Sequence, residues 1–368
     1  MSRRGSVRRA GATALRRSTL LRHSLLALVG AGLLLLLVEV LNDYRNTQLA
    51  QIGILVCAVA GLSVLVGLSG QISLGNGAFM AVGAYTCALL LEHTHTHEQN
   101  LVLVAILGAC VLVAAAFGAI VGLAAARLRG PYLAGATLAL AAGLPSLPSY
   151  GPLSRQLGGA NGLSILAPGP PRGFDLYRWQ AFECGLAAIL VLWACANLAH
   201  GRVGRAFRAV RDDEVAASLS GLSVARTQVL AFVVSAACAG LAGGLLAVVS
   251  LVASPLGFPV TLSLALLAAA VFGGLGSLAG AVYGSVLVAL LPQWSQDLTN
   301  ALAIHSEKIS ADLPLALYGI VLAVAMLAFP AGVQGALRTA GRAQLGALNG
   351  YRDRRVAARV DARNEDPE

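Results

Sequence analysis

Apolar runs separated by short polar stretches cover most of the chain, at residues 24–41, 47–66, 77–91, 101–126, 131–147, 181–199, 227–252, 261–275, 278–291 and 313–329. A helix needs about 20 apolar residues to cross the hydrocarbon core of a bilayer, so the longer runs predict full spans and the shorter ones predict broken or half-length helices. The pattern therefore predicts an all-α polytopic transmembrane bundle of about ten spans. One stretch interrupts it: residues 200–226, HGRVGRAFRAVRDDEVAASLSGLSVAR, form a charged island between two long apolar runs. Val203, Phe207 and Val210 fall at i, i+4 and i+7, which gives a short helix one apolar stripe, with Arg202, Arg205, Arg208 and Arg211 around it. Asp212, Asp213 and Glu214 follow at once, and acids favour a helix start as arginines favour a helix end. The island thus reads as two short helices broken near Asp212, the second closed by Gly221. A solvated loop needs neither the stripe nor the caps nor the small residues Ala216, Ala217 and Ser218. The island is expected to be a docking element for another protein.

Composition agrees with the membrane reading. Hydrophobic residues make up 57% of the chain and charged residues 12%, with a mean hydropathy of +0.75, which is too apolar for a soluble globule. The formal charge of +9 does not point to nucleic acid, because the arginines cluster where cytoplasmic loops would put them. Seven lie in residues 1–22, two are Arg127 and Arg129, five lie in the island and seven follow residue 331. Arg45, Arg155, Arg172, Arg178 and Lys308 are left for the opposite side. Positive residues concentrate inside, so both termini are expected in the cytoplasm of a cell whose plasma (bacterial inner) membrane the chain crosses. Residues 1–23 then form a basic cytoplasmic segment, residues 24–330 a transmembrane domain and residues 331–368 a charged cytoplasmic tail. Arg16 and Arg17 resemble a twin-arginine signal, but the following run exceeds a signal core and no small-residue cleavage site follows it. The six cysteines lie within or at the ends of apolar runs without CxxC spacing, and are read as small hydrophobes.

No ionisable residue lies near the middle of any predicted span; Glu39, Glu92 and Glu183 fall at span ends. A proton- or sodium-driven carrier commonly holds a coupling charge near the midplane. Nor does the one lysine, Lys308, sit in a phosphate-binding glycine loop. If a solute moves uphill, another chain supplies the energy.

Glycine concentrates in two stretches. In residues 67–85, GLSGQISLGNGAFMAVGAY, the glycines are too dense for a regular helix, and Gly70, Gln71, Ser73, Gly75 and Asn76 suit a broken or re-entrant segment that lines a pathway. In residues 272–284, FGGLGSLAGAVYG, Gly273, Gly274 and Gly276 suit a matching interruption in the second half. Close helix packing is the competing explanation, since Gly118/Gly122, Gly240/Gly244 and Gly280/Gly284 have GxxxG spacing. Gly159 and Asn161, within GGANGL at residues 158–163, are expected at the outer mouth. The run EHTHTHE, with His93, His95 and His97, offers a weak metal pattern and is read as a polar loop, so no metal site or cofactor is expected. Residues 293–314 are expected to form an amphipathic external segment.

Taken together these stretches resemble the LivM-type permease subunits of ATP-driven branched-chain amino acid importers. GLSGQISLGNGAFMAVGAYT is similar to that family's glycine-rich segment, RLRGPYLAGATLAL to its R-RG-YLA segment, GGANGL to its outer motif and VGRAFRAVRDDEVAASLSGLSV to its cytoplasmic loop. GGLGSLAGAVYGSVL and YGIVLAVAMLAFPAGVQG follow in the family's order. The resemblance implies a LivH-type partner permease, two cytoplasmic ATP-binding subunits and an extracytoplasmic solute-binding protein, with ATP hydrolysed on a separate chain. It also implies that Gly204, Arg205, Phe207, Arg208, Val210, Asp212, Glu214, Ala216, Ala217 and Gly221 form the ATPase-coupling loop. Pro131 stands where the family often has an acid, and LPSLPSY at residues 144–150 interrupts a stretch that is usually continuous. Permeases for urea or short amides share these motifs, and a self-sufficient carrier or channel is the rival from another class.

Overall fold

The apolar runs become helices because they are rich in alanines and leucines, which lose little freedom in a helix. The computed structural model describes residues 19–94, 100–128, 130–171, 173–301, 319–320, 323–324 and 332–335. Its helices are α1 (Thr19–Val40), α2 (Asp43–Leu62), α3 (Asn76–His93), α4 (Asn100–Ala125), α5 (Pro131–Gly143), α6 (Gly151–Leu157), α7 (Leu176–His200), α8 (Arg202–Asp212), α9 (Glu214–Leu219), α10 (Val224–Ser250), α11 (Val260–Gly273) and α12 (Leu278–Ala301). Two short strands, β1 (Leu163–Ser164) and β2 (Val252–Ala253), pair antiparallel. The fold is an all-α bundle. Among the described residues six helices are long and apolar enough to cross a membrane, so helix length alone supports fewer than the ten spans expected. The other expected runs are shorter: α5 stops at Gly143, where the prolines of a 3-10 segment, Pro145 and Pro148, end the regular ladder. Pro131 is accommodated at the first turn of α5, where its missing N–H costs nothing. The run at 313–329 lies almost wholly outside the described residues.

α2 and α10 form the centre, and α10 packs against α2, α3 and α4. These approaches need bare backbone. A Cβ on Gly83 would sit 2.0 Å from the Gly240 carbonyl oxygen, and one on Gly243 would sit 1.8 Å from that of Met80, so α3 and α10 touch main chain to main chain. α1 packs mainly on α7 and exposes Leu28 and Leu36, as a helix facing lipid does. His23 Nδ1 lies 2.8 Å from Asn197 Oδ1, and the His23 and His200 rings are 5.0 Å apart, which ties the start of α1 to the end of α7.

Two expectations change. Residues 293–301 continue α12 rather than forming a separate segment, and their neighbours to 314 lie outside the described residues. Glu183 is not at a span end, because α7 begins at Leu176 and places it two turns in. The cysteines are all free, with Cys195 Sγ and Cys238 Sγ 4.0 Å apart between α7 and α10. His93 ends α3 with its Nδ1 against the Leu89 carbonyl, while His95 and His97 lie outside the described residues.

Candidate coupling site and broken segment

α2 does not end cleanly. A π-helical turn, Ser63–Leu68, extends it, and Gly70 to Gly75 then run without regular structure before α3. At 1.5 Å per residue the 26 residues of Asp43–Leu68 span about 39 Å, a full crossing. Asn76 nonetheless donates from Nδ2 to the Ala58 carbonyl at 3.2 Å, which puts the start of α3 about 15 Å back along α2 from its end. The irregular stretch therefore climbs through the bundle at membrane depth. Such backbone persists only where protein or a water-filled cavity satisfies it, and the bonds are present. Thr137 Oγ1 of α5 accepts from Leu74 N at 3.0 Å, Ser73 Oγ accepts from Gly75 N at 3.3 Å, and Ser263 Oγ of α11 accepts from Gly77 N at 3.0 Å. Ser235 Oγ of α10 donates to Asn76 Oδ1 at 3.2 Å.

The expected pathway residues thus divide. Asn76 and Ser73 are fully buried, Asn76 holding the break to α2 and α10 and Ser73 bonding within the break itself. Among the described residues, the buried Ser69 Oγ and Gln71 Oε1 have no hydrogen-bond partner. The residues Ser69 and Gln71 border a cavity of about 490 Å³ together with Gly70, Arg211, Glu214 and Gln228, but these two oxygens are themselves buried. Gly274 and Gly276, with φ of 106° and 78°, form the turn between α11 and α12, and a Cβ on Gly67 would lie 2.0 Å from Gly276 N. Gly273 instead serves packing, since its Cβ would meet the Gly280 carbonyl oxygen at 1.9 Å. The two glycine-rich stretches therefore meet, and they do so beside the island. Gly159 and Asn161 sit at the other end of the bundle, in a 3-10 turn next to the β1–β2 pair.

The island folds as its pattern predicts: two helices, broken at Asp213, whose Oδ1 accepts from Val215 N at 2.8 Å and Ala216 N at 3.0 Å. Gly221, at φ 82°, closes α9, with Leu222 N bonded to the Ala217 carbonyl and Gly221 N to that of Ser218. Its stripe, however, faces inward. Phe207 is 0% exposed and Val210 and Ala217 are buried within this chain. A Cβ on Gly204 would lie 2.2 Å from the Ala199 carbonyl oxygen. These four were expected among the docking contacts; the ends of the spans offered the stripe apolar surface first. Arg208 and Arg205 are turned back as well, donating to the Ala199 and His200 carbonyls at 3.1 and 3.4 Å, where cations complete the end of α7. What remains outward is Val215, 68% exposed, and Leu219, 84% exposed, at i and i+4, with Asp212, Glu214 and Ala216 also exposed.

Arg211, absent from the expected set, joins island and break. Its Nη1 donates to the Gly67 carbonyl at 2.8 Å while Nε and Nη2 hold Asp212 Oδ1 at 3.0 and 2.8 Å. A Cβ on Gly70, which sits at φ 75°, would meet Arg211 Cγ at 2.6 Å. A side chain there is excluded by conformation and by space.

A family model described as branched-chain amino acid transport system / permease component matches residues 45–330. The chain belongs to that family. The matched region holds the broken segment, the island and both glycine-rich stretches. Among relatives of this permease family, the high-affinity branched-chain amino acid transport system permease protein LivM of Salmonella typhimurium is 34% identical over 270 residues, 64% of this chain and 60% of the relative. LivM of Escherichia coli is 33% identical over the same shares. LivH of Escherichia coli is 33% identical over 137 residues, 37% of this chain and 41% of the relative. The chain thus spans about 60% of the length of the LivM relatives it matches. No solved structure matches it.

Proposed function

We propose that this chain is the membrane-embedded permease subunit of an ATP-driven importer for branched-chain or other hydrophobic amino acids. The observation that carries the reading is the island: two capped helices, seated by Phe207 on the span ends and tied by Arg211 to a break in the membrane-depth backbone. A push on such an element reaches the pathway without passing through a flexible loop. The outward Val215 and Leu219, with Asp212 and Glu214, form the ATPase-docking face, replacing Phe207 and Val210 in that role.

ATP is hydrolysed on two separate cytoplasmic subunits, and an extracytoplasmic binding protein delivers substrate to the end that carries Gly159 and Asn161. The similarity to both LivM and LivH relatives supports a LivH-type partner of the same build across the pathway. Ten crossings remain our reading of the path, with α3, α5 to α6, α12 and the run at 313–329 completing the six long helices. The island end is cytoplasmic, as are both termini: His23 near the start of α1 and Gly332 against the α11–α12 turn both lie there. The test is uptake of labelled L-leucine, L-alanine and urea by cells expressing the chain with its neighbouring genes, together with co-purification of an ATPase. Leucine uptake with a bound ATPase is expected; uptake of urea alone gives the amide reading, and leucine uptake that survives removal of the ATPase gives the carrier.

A further inference from the structure

A groove of about 300 Å³ runs down the side of the bundle between α1, α7 and α12, away from the break and the docking face. Leu26, Gly30, Ile189, Leu192 and Val282 give it apolar walls. His23 and Trp193 border it too, but their polar atoms are already engaged: His23 Nδ1 lies 2.8 Å from Asn197 Oδ1, and Trp193 Nε1 donates to Ser24 Oγ at 3.2 Å. Both α1 and α7 are long and apolar enough to cross a membrane. From His23 to Gly30 on one wall, and from Ala196 to Ile189 on the other, the groove reaches about 10 Å from the island end toward the middle of the bundle. Charge is confined to its mouth. Arg22 precedes His23, the His23 ring meets that of His200 at 5.0 Å, and Arg205 Nη1 donates to the His200 carbonyl at 3.4 Å, with Arg202 between them in the chain. Arg22, Arg202 and Arg205 are exposed, and none of them is in an ion pair among the described residues. The first acid of the chain, Glu39, stands at the far end of α1.

We infer that this groove holds an anionic glycerophospholipid of the cytoplasmic leaflet. Its phosphate sits at the mouth, where Arg22 and Arg202 offer the forked donors that suit phosphate oxygens, and one acyl chain lies along the apolar walls. Basic pockets between membrane helices on the cytoplasmic side recognise lipid headgroups in this way. A zwitterionic lipid brings a cation that the arginines repel, and a soluble anion has no use for the walls. The occupant also completes the packing of this flank. α1 packs mainly on α7, so a chain in the groove joins α1 to α12 and braces α7, the helix that runs directly into the island. Only the choice of leaflet depends on the orientation proposed above; the site itself does not rest on the permease reading.

Trp193 reports on the groove once the other two tryptophans of the chain are replaced (Trp179→Phe and Trp294→Phe). The full chain is reconstituted in phosphatidylcholine vesicles that carry increasing fractions of a lipid brominated on its acyl chains, either phosphatidylglycerol or phosphatidylcholine, and quenching of Trp193 is read. Each basic residue near the surface adds several-fold to the attraction of an anionic lipid, so half-quenching is expected at a roughly tenfold lower mole fraction of phosphatidylglycerol. Arg22→Gln together with Arg202→Gln should bring the two curves together. A Cβ on Gly30 meets Ile189 no closer than 3.7 Å, so Gly30→Leu fills the groove without displacing backbone and should weaken quenching by both lipids. Gly32→Leu, where none of the described residues comes within 4 Å of a Cβ, should not. A second measurement needs no tryptophan substitution: mass spectrometry of the unaltered chain, purified with its partner subunits from a mixture of the two lipids, should find phosphatidylglycerol retained in preference, and Gly30→Leu should abolish the preference. Coincident quenching curves with both arginines in place leave only ordinary bilayer contact and overturn the site. Equal retention of the two lipids by the assembled transporter overturns it as well, and shows the groove to be covered by another chain.

Discussion

Phe207 and Leu219 belong to adjoining helices and face opposite ways, one 0% and the other 84% exposed. Phe207→Ala leaves a cavity in the seat of the island, and such truncations cost about 3–5 kcal/mol. The expected outcome is less protein in the membrane and a lower melting temperature of the purified chain. Leu219→Asp, by contrast, should leave both unchanged and abolish ATPase co-purification, since it alters only an uncovered surface. Gly221→Val tests a third property of the same element. Among the described residues nothing lies within 4 Å of the missing Cβ, so the loss expected is that of the backbone at φ 82°, which costs a branched residue roughly 1–2 kcal/mol. Uptake per unit of membrane protein should fall while ATPase binding persists. The periodicity of Val203, Phe207 and Val210 revealed the stripe, yet periodicity does not say which surface covers it. Leu219 was legible too, four residues after Val215, but a pair is a weaker signal than a stripe. Arg211 was not legible as a tie, because its partner is a backbone carbonyl far along the chain.

At the scale of elements, the glycine density of residues 67–85 announced the break, and Gly70 with its positive φ justifies the inference from composition to geometry. What glycine density does not carry is depth. That the stretch from Gly70 to Gly75 climbs inside the bundle follows only from Asn76 meeting Ala58 and Leu74 meeting Thr137. Packing glycines and breaking glycines look alike in a sequence, and the structure assigns Gly83, Gly240 and Gly243 to packing. Gly243→Leu therefore drives a side chain into the Met80 carbonyl, 1.8 Å from the built Cβ. Overpacking of a close contact costs about 1–3 kcal/mol, and here backbone is the obstacle, so the upper end applies. The measurement is the thermal stability of the detergent-solubilised protein, with Gly108→Leu on α4 as the control, since none of the described residues comes within 4 Å of a Cβ at that position. Equal losses from the two would show that α3 and α10 are not held by contact of their main chains.

For the whole molecule, the sequence pattern exceeds what helix length supports: ten apolar runs against six helices long enough to cross among the described residues. Of the shorter pieces, α3 begins well inside the bundle and α5 stops at Gly143 before a proline-rich 3-10 segment. Hydropathy counts the apolar residues of such pieces but does not register where the regular helix stops. Orientation rests on charge, and the fold adds only which segments share a side. The arginine-rich segments gather in the termini, the 127–129 loop and the island, and positive segments stay inside. Separately, His23 touches Asn197 and Gly332 touches Gly274, which places both described ends of the chain beside the island. A reporter enzyme active only outside the cell should accordingly be silent when fused after Glu368 or inserted at Gly221, and active when inserted at Asn161, which is exposed next to the β1–β2 pair. Activity at Gly221 together with silence at Asn161 would turn the molecule over, put the docking face of Val215 and Leu219 on the wrong side for any ATPase, and remove the basis for ATP-driven coupling through Arg211.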